Sequence, residues 1–138
     1  MKIRKQVRNL LCALAVIISV GGFATVVYAG NVPLDVTASN VASVGSKDPY
    51  SRKEGKSDSD QNFYIKLTSL TNGPSMSFTS YSSAGKQVSG ALTISKSQLN
   101  STRKKAYNKT VYANKKYYVY SLPPRGYTNV HAVGTYCP

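Results

Sequence analysis

Apolar residues recur at every second position along several short stretches of this chain. The segments LDVTA (residues 34–38) and FYIKL (residues 63–67) both alternate apolar with polar or amphipathic side chains. A period of two is typical of a β-strand with one buried and one solvated face, because successive strand side chains point to opposite sides. The body of the chain has this period rather than the 3.6-residue period of a helix. The alternation therefore predicts an all-β protein.

The same pattern predicts about seven short strands. Besides 34–38 and 63–67, the predicted strands cover 76–80, 88–94, 110–113, 116–122 and 128–136. Turn residues such as Asn72-Gly73 separate them, while residues 96–107 lack a clean period and are expected to hold a helical turn or a loop. Short strands separated by frequent turns are typical of a small antiparallel β-sandwich or barrel.

The first 29 residues are expected to be a cleaved signal peptide. A basic start precedes an apolar run over residues 10–27, and Val27-Tyr28-Ala29 supplies the small residues of a cleavage site. The alternative is a retained membrane anchor, but the run is shorter than the roughly 20 residues that a spanning helix needs. We therefore expect a secreted protein without a stable transmembrane anchor.

The charge of the chain is large and unevenly distributed. The net charge is +13, all five acidic residues precede residue 61, and ten Lys or Arg residues follow it. Residues 45–62 carry both signs and no aliphatic side chain, which predicts a polar loop or linker. One domain over 30–138 is expected, with a first strand and N-terminal segment (30–44), this loop, and a cationic β body (63–138).

The cationic body must be balanced by solvent ions or by an anionic partner. Lysine and arginine supply charge for phosphate groups, and tyrosine supplies a flat ring with a hydroxyl at its rim. Two other interpretations stay open: tyrosines that fill the core and its edges, and basic loops that protect strand edges. The residues predicted to bind an anionic surface are Arg103, Lys104, Lys105, Lys109, Lys115, Lys116, Tyr112, Tyr118 and Tyr120.

Catalysis and metal binding are not expected. The chain has one histidine, His131, and two cysteines, which cannot form a conventional zinc site alone, and its few acids disfavour a two-carboxylate hydrolase. We expect no enzyme activity, no cofactor and no metal. Cleavage of the signal peptide would leave Cys137 as the single cysteine, either as a free thiol or as half of an intermolecular disulfide that forms a homodimer.

Four short motifs resemble a family of small secreted all-β proteins of Gram-positive bacteria, of unassigned function. The motifs are FYIKL (63–67), GKQVS (85–89), AY (106–107) and VGTY (133–136). Members of that family are similar in plan to lactococcin-type bacteriocins, which are small secreted β-sandwiches that act on the envelope of neighbouring cells. Such relatives usually place a Trp after the terminal Gly, whereas this chain has Tyr136 nearby and no Trp.

The charge and the resemblance together predict a secreted, non-enzymatic, cationic protein that acts at the bacterial cell envelope in the manner of a bacteriocin. Its expected partner is an anionic cell-wall polymer or envelope lipid. The alternative is a passive wall-binding or matrix-binding protein that is retained on the producer's own surface. Nucleic acid is not expected, because no nucleic-acid-binding motif is present and export argues against it.

Overall fold

The computed structural model describes residues 31–138, and the predicted signal peptide lies outside this part of the chain. Eight strands and one turn of 3-10 helix (Lys96–Gln98) form its regular structure. The strands are β1 (Val32–Ala38), β2 (Glu54–Gly55), β3 (Asn62–Thr71), β4 (Ser75–Ser82), β5 (Leu92–Ser95), β6 (Thr102–Ala106), β7 (Lys116–Leu122) and β8 (Val130–Cys137). Among these residues, no helix is long and apolar enough to span a bilayer.

The strands form two antiparallel sheets of four strands each. The strand order is β1-β8-β3-β6 in the first sheet and β2-β7-β4-β5 in the second. The predicted all-β class is confirmed. Of the two predicted architectures, the structure has the paired sheets of a sandwich-like fold, and the sheets are not closed into a barrel.

The core lies between the two sheets and follows the predicted alternation. Phe63, Ile65 and Leu67 of β3 are fully buried, and so are the inward residues of β1 and β4. On β7 the sequence left open which face would be core. The buried face carries Tyr117, Val119 and Ser121, whereas the face with Tyr118 and Tyr120 is only partly covered.

Three segments differ from the predictions. The strand predicted over 88–94 is shorter than expected, because β5 begins only at Leu92. β6 was expected to be a helical turn or loop, and all five of its residues are exposed, so it has no apolar alternation to reveal a strand. The strand predicted over 110–113 is wrong. Only Val111 is buried there, and the backbone of Val111 and Tyr112 is bonded to side chains rather than to a neighbouring strand.

Residues 48–51, here called the crossing segment, connect the two sheets along one edge. Asp48 exchanges both backbone hydrogen bonds with Thr37 of β1, at 2.8 and 2.9 Å. Three residues later the amide of Ser51 donates to the carbonyl of Val119 on β7, at 2.9 Å. The polar stretch around this segment is therefore hydrogen-bonded to both sheets, and it continues into the short strand β2.

The pairing of β3 with β8 requires a glycine at position 134. A Cβ atom at Gly134 would lie 2.1 Å from the carbonyl oxygen of Lys66, which is far inside van der Waals contact. The register of this pair shifts between Leu67 and Ser69, next to that close approach. Gly134 thus lets the two central strands of the first sheet approach each other across a bulge.

Candidate functional site

Four lysines surround an open cleft at one end of the second sheet. The lysine cleft is lined by Lys86, Lys109, Lys115 and Lys116 together with Tyr112, and its volume is about 410 Å³. All five side chains are exposed, and 62% of the surface of Tyr112 is accessible. The structure therefore brings together three of the lysines predicted to bind an anion with one of the predicted tyrosines.

The connection between β6 and β7 forms one wall of this cleft, and a side-chain clamp holds it. The amide group of Gln61 donates to the carbonyl oxygen of Val111 and accepts from its N–H, at 3.0 Å in both cases. The next amide, that of Tyr112, donates to the hydroxyl of Tyr117 at 2.9 Å. Since Val111 and Tyr117 are both buried, these bonds fix the exposed Tyr112 against the core.

A tight turn places the last two lysines of the cleft. Asn114 has a φ of 64°, a left-handed conformation that asparagine adopts more readily than most residues. Its amide donates to the carbonyl of Lys56 at 2.7 Å, and the amide of Lys56 donates to Lys115 at 2.9 Å. Lys115 and Lys116 therefore follow a turn that is bonded to the edge of the second sheet.

Lys56 is buried and does not contribute charge to the cleft. Its residue surface is 1% exposed, and its Nζ donates to Asp58 Oδ1 at 2.8 Å and to the carbonyl oxygen of Pro138 at 3.0 Å. The same Nζ lies 5.7 Å from the ring centre of the buried Tyr107. A buried ammonium group needs such partners, because desolvation of an isolated charge is costly. Lys56 is thus a structural cation.

The lysines of the cleft have no carboxylate partner among residues 31–138. In this part of the chain Asp58 forms an ion pair with Lys56, and Asp35 is hydrogen-bonded to His131. Asp60 accepts hydrogen bonds from Asn62 and Tyr64. Like charges that share an open cleft repel one another, and a bound anion relieves that repulsion. The cleft can therefore concentrate a polyanion without first breaking an internal ion pair.

The basic run on β6 lies at a different place. Arg103 pairs with Ile65 and Lys105 with Phe63, so both share the core side of the sheet with these buried residues. Both nevertheless stay exposed, because β6 is an edge strand. Lys104 points to the opposite side. Charged residues that point inward from an edge strand hinder pairing with another chain, which makes edge protection a second role for this run.

Tyr118 and Tyr120 also lie apart from the cleft, on the outer face of the second sheet. They contact Tyr50 of the crossing segment, with ring centres 5.8 and 5.2 Å from it. Burial and the neighbouring rings of Tyr50 and Tyr81 raise the pKa of Tyr118. The nine residues that the sequence grouped together thus divide into three surfaces: the lysine cleft, the β6 edge and this tyrosine cluster.

Sequence reasoning missed Lys86 and Tyr50 as surface-site residues. Lys86 follows the turn at Gly85, more than twenty residues before the other cleft lysines, and no local pattern joins them. Tyr50 stands in a polar stretch that was predicted to be a loop or linker. The only signal in the sequence was the alternation of tyrosines along β7. It places Tyr118 and Tyr120 on one outer face, and such a face can pack against another segment of the chain.

The histidine and the cysteine of residues 31–138 lie in different surroundings. His131 Nε2 lies 2.7 Å from Asp35 Oδ1 on the outer face of the first sheet. Cys137 is 3% exposed, and burial raises the pKa of its thiol. No group of three or more His, Cys, Asp or Glu within residues 31–138 is placed to hold a metal ion. A disulfide between two chains would require the end of β8 to open.

Comparison with protein-family models, with curated proteins and with solved structures found no match to this chain.

Proposed function

We propose that this is a secreted, non-enzymatic, cationic protein that binds the anionic polymers or lipids of a bacterial envelope through the lysine cleft. The observation that carries the proposal is the grouping of Lys86, Lys109, Lys115 and Lys116 around one cleft without a carboxylate partner among residues 31–138. Teichoic acid phosphates are the abundant polyanion outside a Gram-positive cell, and ammonium groups bind phosphate as point charges.

The mode of action that we propose is bacteriocin-like interference with the envelope of neighbouring cells. The predicted signal peptide, the strongly basic sequence and its resemblance to small secreted Gram-positive proteins support this proposal. The alternative is passive retention on the producer's own wall. Passive retention would use the same binding chemistry. A homodimer linked through Cys137 is compatible with both modes of action.

Sedimentation with isolated Gram-positive cell walls tests the binding step. The protein of residues 30–138 is mixed with walls that retain or lack teichoic acid, over a series of salt concentrations. Binding should disappear on stripping and at high salt, because exposed charges are screened within about 10 Å at 0.1 M and within about 3 Å at 1 M. Binding that is indifferent to both changes would overturn the proposal.

Two variants of equal net charge distinguish binding through the lysine cleft from binding through the overall charge of the protein. The first replaces Lys86, Lys109, Lys115 and Lys116 by Gln, and the second replaces Lys66, Arg103, Lys104 and Lys105 by Gln. Both lose four positive charges from exposed positions. The first should lose at least about tenfold more wall affinity than the second, which corresponds to about 1.4 kcal/mol. Equal losses would mean that the overall charge, and not the cleft, carries the binding.

A growth assay separates the two modes of action. Purified protein at micromolar concentration should inhibit sensitive Gram-positive strains if it acts like a bacteriocin, and the four-lysine variant should inhibit them less. Wall binding without any inhibition would favour passive retention instead.

A further inference from the structure

A cluster of tyrosine rings lies on the outer face of the second sheet, away from the lysine cleft. The ring of Tyr50 is 5.2 Å from that of Tyr120 and 5.8 Å from that of Tyr118. Tyr81 stacks on Tyr118, with 5.7 Å between ring centres and 17° between planes. The Nζ of Lys53 covers Tyr118 at 5.7 Å. Tyr118 is thus a supporting ring, and Tyr50, 52% exposed, is the most accessible.

A separate hollow lies beside each of the rings of Tyr50 and Tyr120. Tyr50 lines a hollow of about 380 Å³, and Tyr120 lines a second one of about 580 Å³. We call Tyr50, Tyr118 and Tyr120 together with these two hollows the tyrosine groove. Its polar side chains come from the first strand, the crossing segment and the turns beside them, and they include Asp35, Asp48 and Arg52 in the first hollow and Asn40 and Arg125 in the second.

The charges of the groove do not favour a polyanion. Asp35 and Asp48 line one hollow and would repel phosphates, whereas Arg52, Arg125 and the Lys53 ammonium over Tyr118 would repel a polycation. An elongated ligand that has no net charge meets no such repulsion. It must also expose apolar surface for the rings and hydroxyl groups that can both donate and accept hydrogen bonds. A chain of sugar rings has these properties, since each ring has an apolar C–H face and a polar rim.

We propose that the tyrosine groove binds an uncharged polysaccharide chain, with sugar rings packed against Tyr50 and Tyr120 and their hydroxyl groups bonded to the polar side chains of the two hollows. The distance of 5.2 Å between the two tyrosine rings is comparable to the length of one sugar unit. This spacing, together with the cross-strand pairing of Tyr50 with Tyr120, would let neighbouring sugars pack against the two rings.

The groove is formed before any ligand binds. Tyr120 is on β7, a central strand, and the crossing segment that carries Tyr50 is bonded to both sheets. Tyrosine offers a large amphipathic contact area with only two side-chain torsions to fix, so little conformational entropy is lost on binding. A preformed site retains more of its interaction energy as affinity. This proposal does not depend on the lysine cleft, because the two surfaces use different residues and different chemistry.

Isothermal titration calorimetry with three neutral hexasaccharides tests the proposal. The probes are chitohexaose, cellohexaose and maltohexaose, titrated into the protein of residues 30–138. At least one should bind with a Kd below about 1 mM, and the Kd should change less than about twofold between 0.15 and 0.5 M salt. Tyr50→Ala should weaken that binding about tenfold or more, whereas Tyr50→Phe, which keeps the ring, should stay close to wild type.

Tyr112→Ala is the matched control, because Tyr112 is also an exposed tyrosine but lies in the lysine cleft. It should leave the Kd for the hexasaccharide unchanged. Saturation-transfer NMR on the wild-type protein adds a readout that needs no variant, since irradiation of the tyrosine ring protons should saturate the sugar ring protons. The proposal is overturned if none of the three sugars binds at about 5 mM. It is also overturned if Tyr50→Ala and Tyr112→Ala weaken binding equally, or if sedimentation shows a wild-type dimer that Tyr50→Ala dissociates.

Discussion

The side chain of Gln61 binds the backbone of Val111 at both its N–H and its carbonyl, with 3.0 Å for each bond. Gln61 immediately precedes β3, in the first sheet, and Val111 is the buried residue of the connection that forms a wall of the lysine cleft. One glutamine thus takes the place of the neighbouring strand that this connection lacks.

We expect Gln61→Ala to loosen the lysine cleft and to lower the free energy of unfolding by about 2 to 3 kcal/mol. The two bonds to Val111 and a third to the carbonyl oxygen of Ser59 are lost, and each contributes about 1 kcal/mol. Hydrogen exchange at the amides of Val111 and Tyr112 should become faster by a larger factor than in the rest of the second sheet. Gln87→Ala is the control, because its side chain makes one bond to the carbonyl of Ser89. Unchanged exchange at Val111 in the Gln61 variant would contradict the role of the clamp.

The pair Lys56–Asp58 should respond asymmetrically to substitution. Asp58→Asn leaves the buried ammonium of Lys56 without its counter-charge, and we expect a loss of about 3 kcal/mol in the free energy of unfolding. Lys56→Met removes the buried charge, and the side chain of Asp58 is 40% exposed and stays hydrated. That variant should lie within about 1 kcal/mol of wild type. Urea unfolding of both variants and of the double variant checks this, and equal losses for the two single changes would refute it.

The hydrogen bond from Tyr64 to Asp60 makes part of the stability dependent on pH. This bond, assisted by burial, raises the pKa of Tyr64 to about 12, above its ordinary value of 10.0. The stabilisation is therefore complete below pH 10 and decreases as the pH rises from about 10 to about 12. For Asp60, burial alone would raise the pKa, but the hydrogen bonds from Tyr64 and Asn62 outweigh it and lower the pKa, so this contribution decreases as the pH falls below about 4.

Tyr64→Phe tests this pH dependence. The difference in free energy of unfolding between wild type and Tyr64→Phe should be constant from about pH 5 to pH 9 and should shrink between pH 10 and pH 11. Tyr127→Phe, at an exposed residue, serves as the control for the loss of a tyrosine hydroxyl group. A Tyr64 difference that stays constant to pH 11 would contradict the assignment.

The inward-pointing charges of β6 should keep the molecule monomeric. Replacing both Arg103 and Lys105 by Val would create an apolar edge strand, and we expect self-association in sedimentation velocity at concentrations where wild type is a monomer. The free energy of unfolding should change by less than about 1 kcal/mol, because both side chains are exposed. Replacement of both by Gln should associate less. A monomeric Val variant would show that these charges do not protect the edge.

Prediction from sequence succeeded where burial on one face left a period of two. β7 has the bounds that its alternating tyrosines and valine predicted, and the buried residues of β3 and β4 are those that were expected. Prediction failed for an edge strand without a buried face and for a segment that is held by a side chain instead of a neighbouring strand. β6 is exposed on both faces, and the connection that contains Val111 is held by Gln61, whose partner lies fifty residues away. Such pairings depend on tertiary structure and leave no local pattern.

The candidate surfaces were only partly predictable for the same reason. The sequence identified the basic and aromatic residue types of these surfaces. However, the nine residues that it grouped together lie on three separate surfaces of the protein. Alternation along β7 showed that Tyr118 and Tyr120 share a face, yet it could not show that Tyr50 would lie beside them. Nor could it show that Lys56 would be buried, because its partner Pro138 belongs to the far end of the sequence.

The strand order has a consequence for the sequence of events in folding. β7 lies at the centre of the second sheet and β8 at the centre of the first, yet these are the last two strands of the chain. During synthesis the amino-terminal part of the chain leaves the ribosome first. Neither sheet can therefore be completed until β7 and β8 have also left it. The pairing of β1 with β8 closes a loop of about a hundred residues, which makes folding slow. We expect such a chain to complete its fold only late in synthesis, and a chain that has not yet folded can still be threaded through a narrow pore.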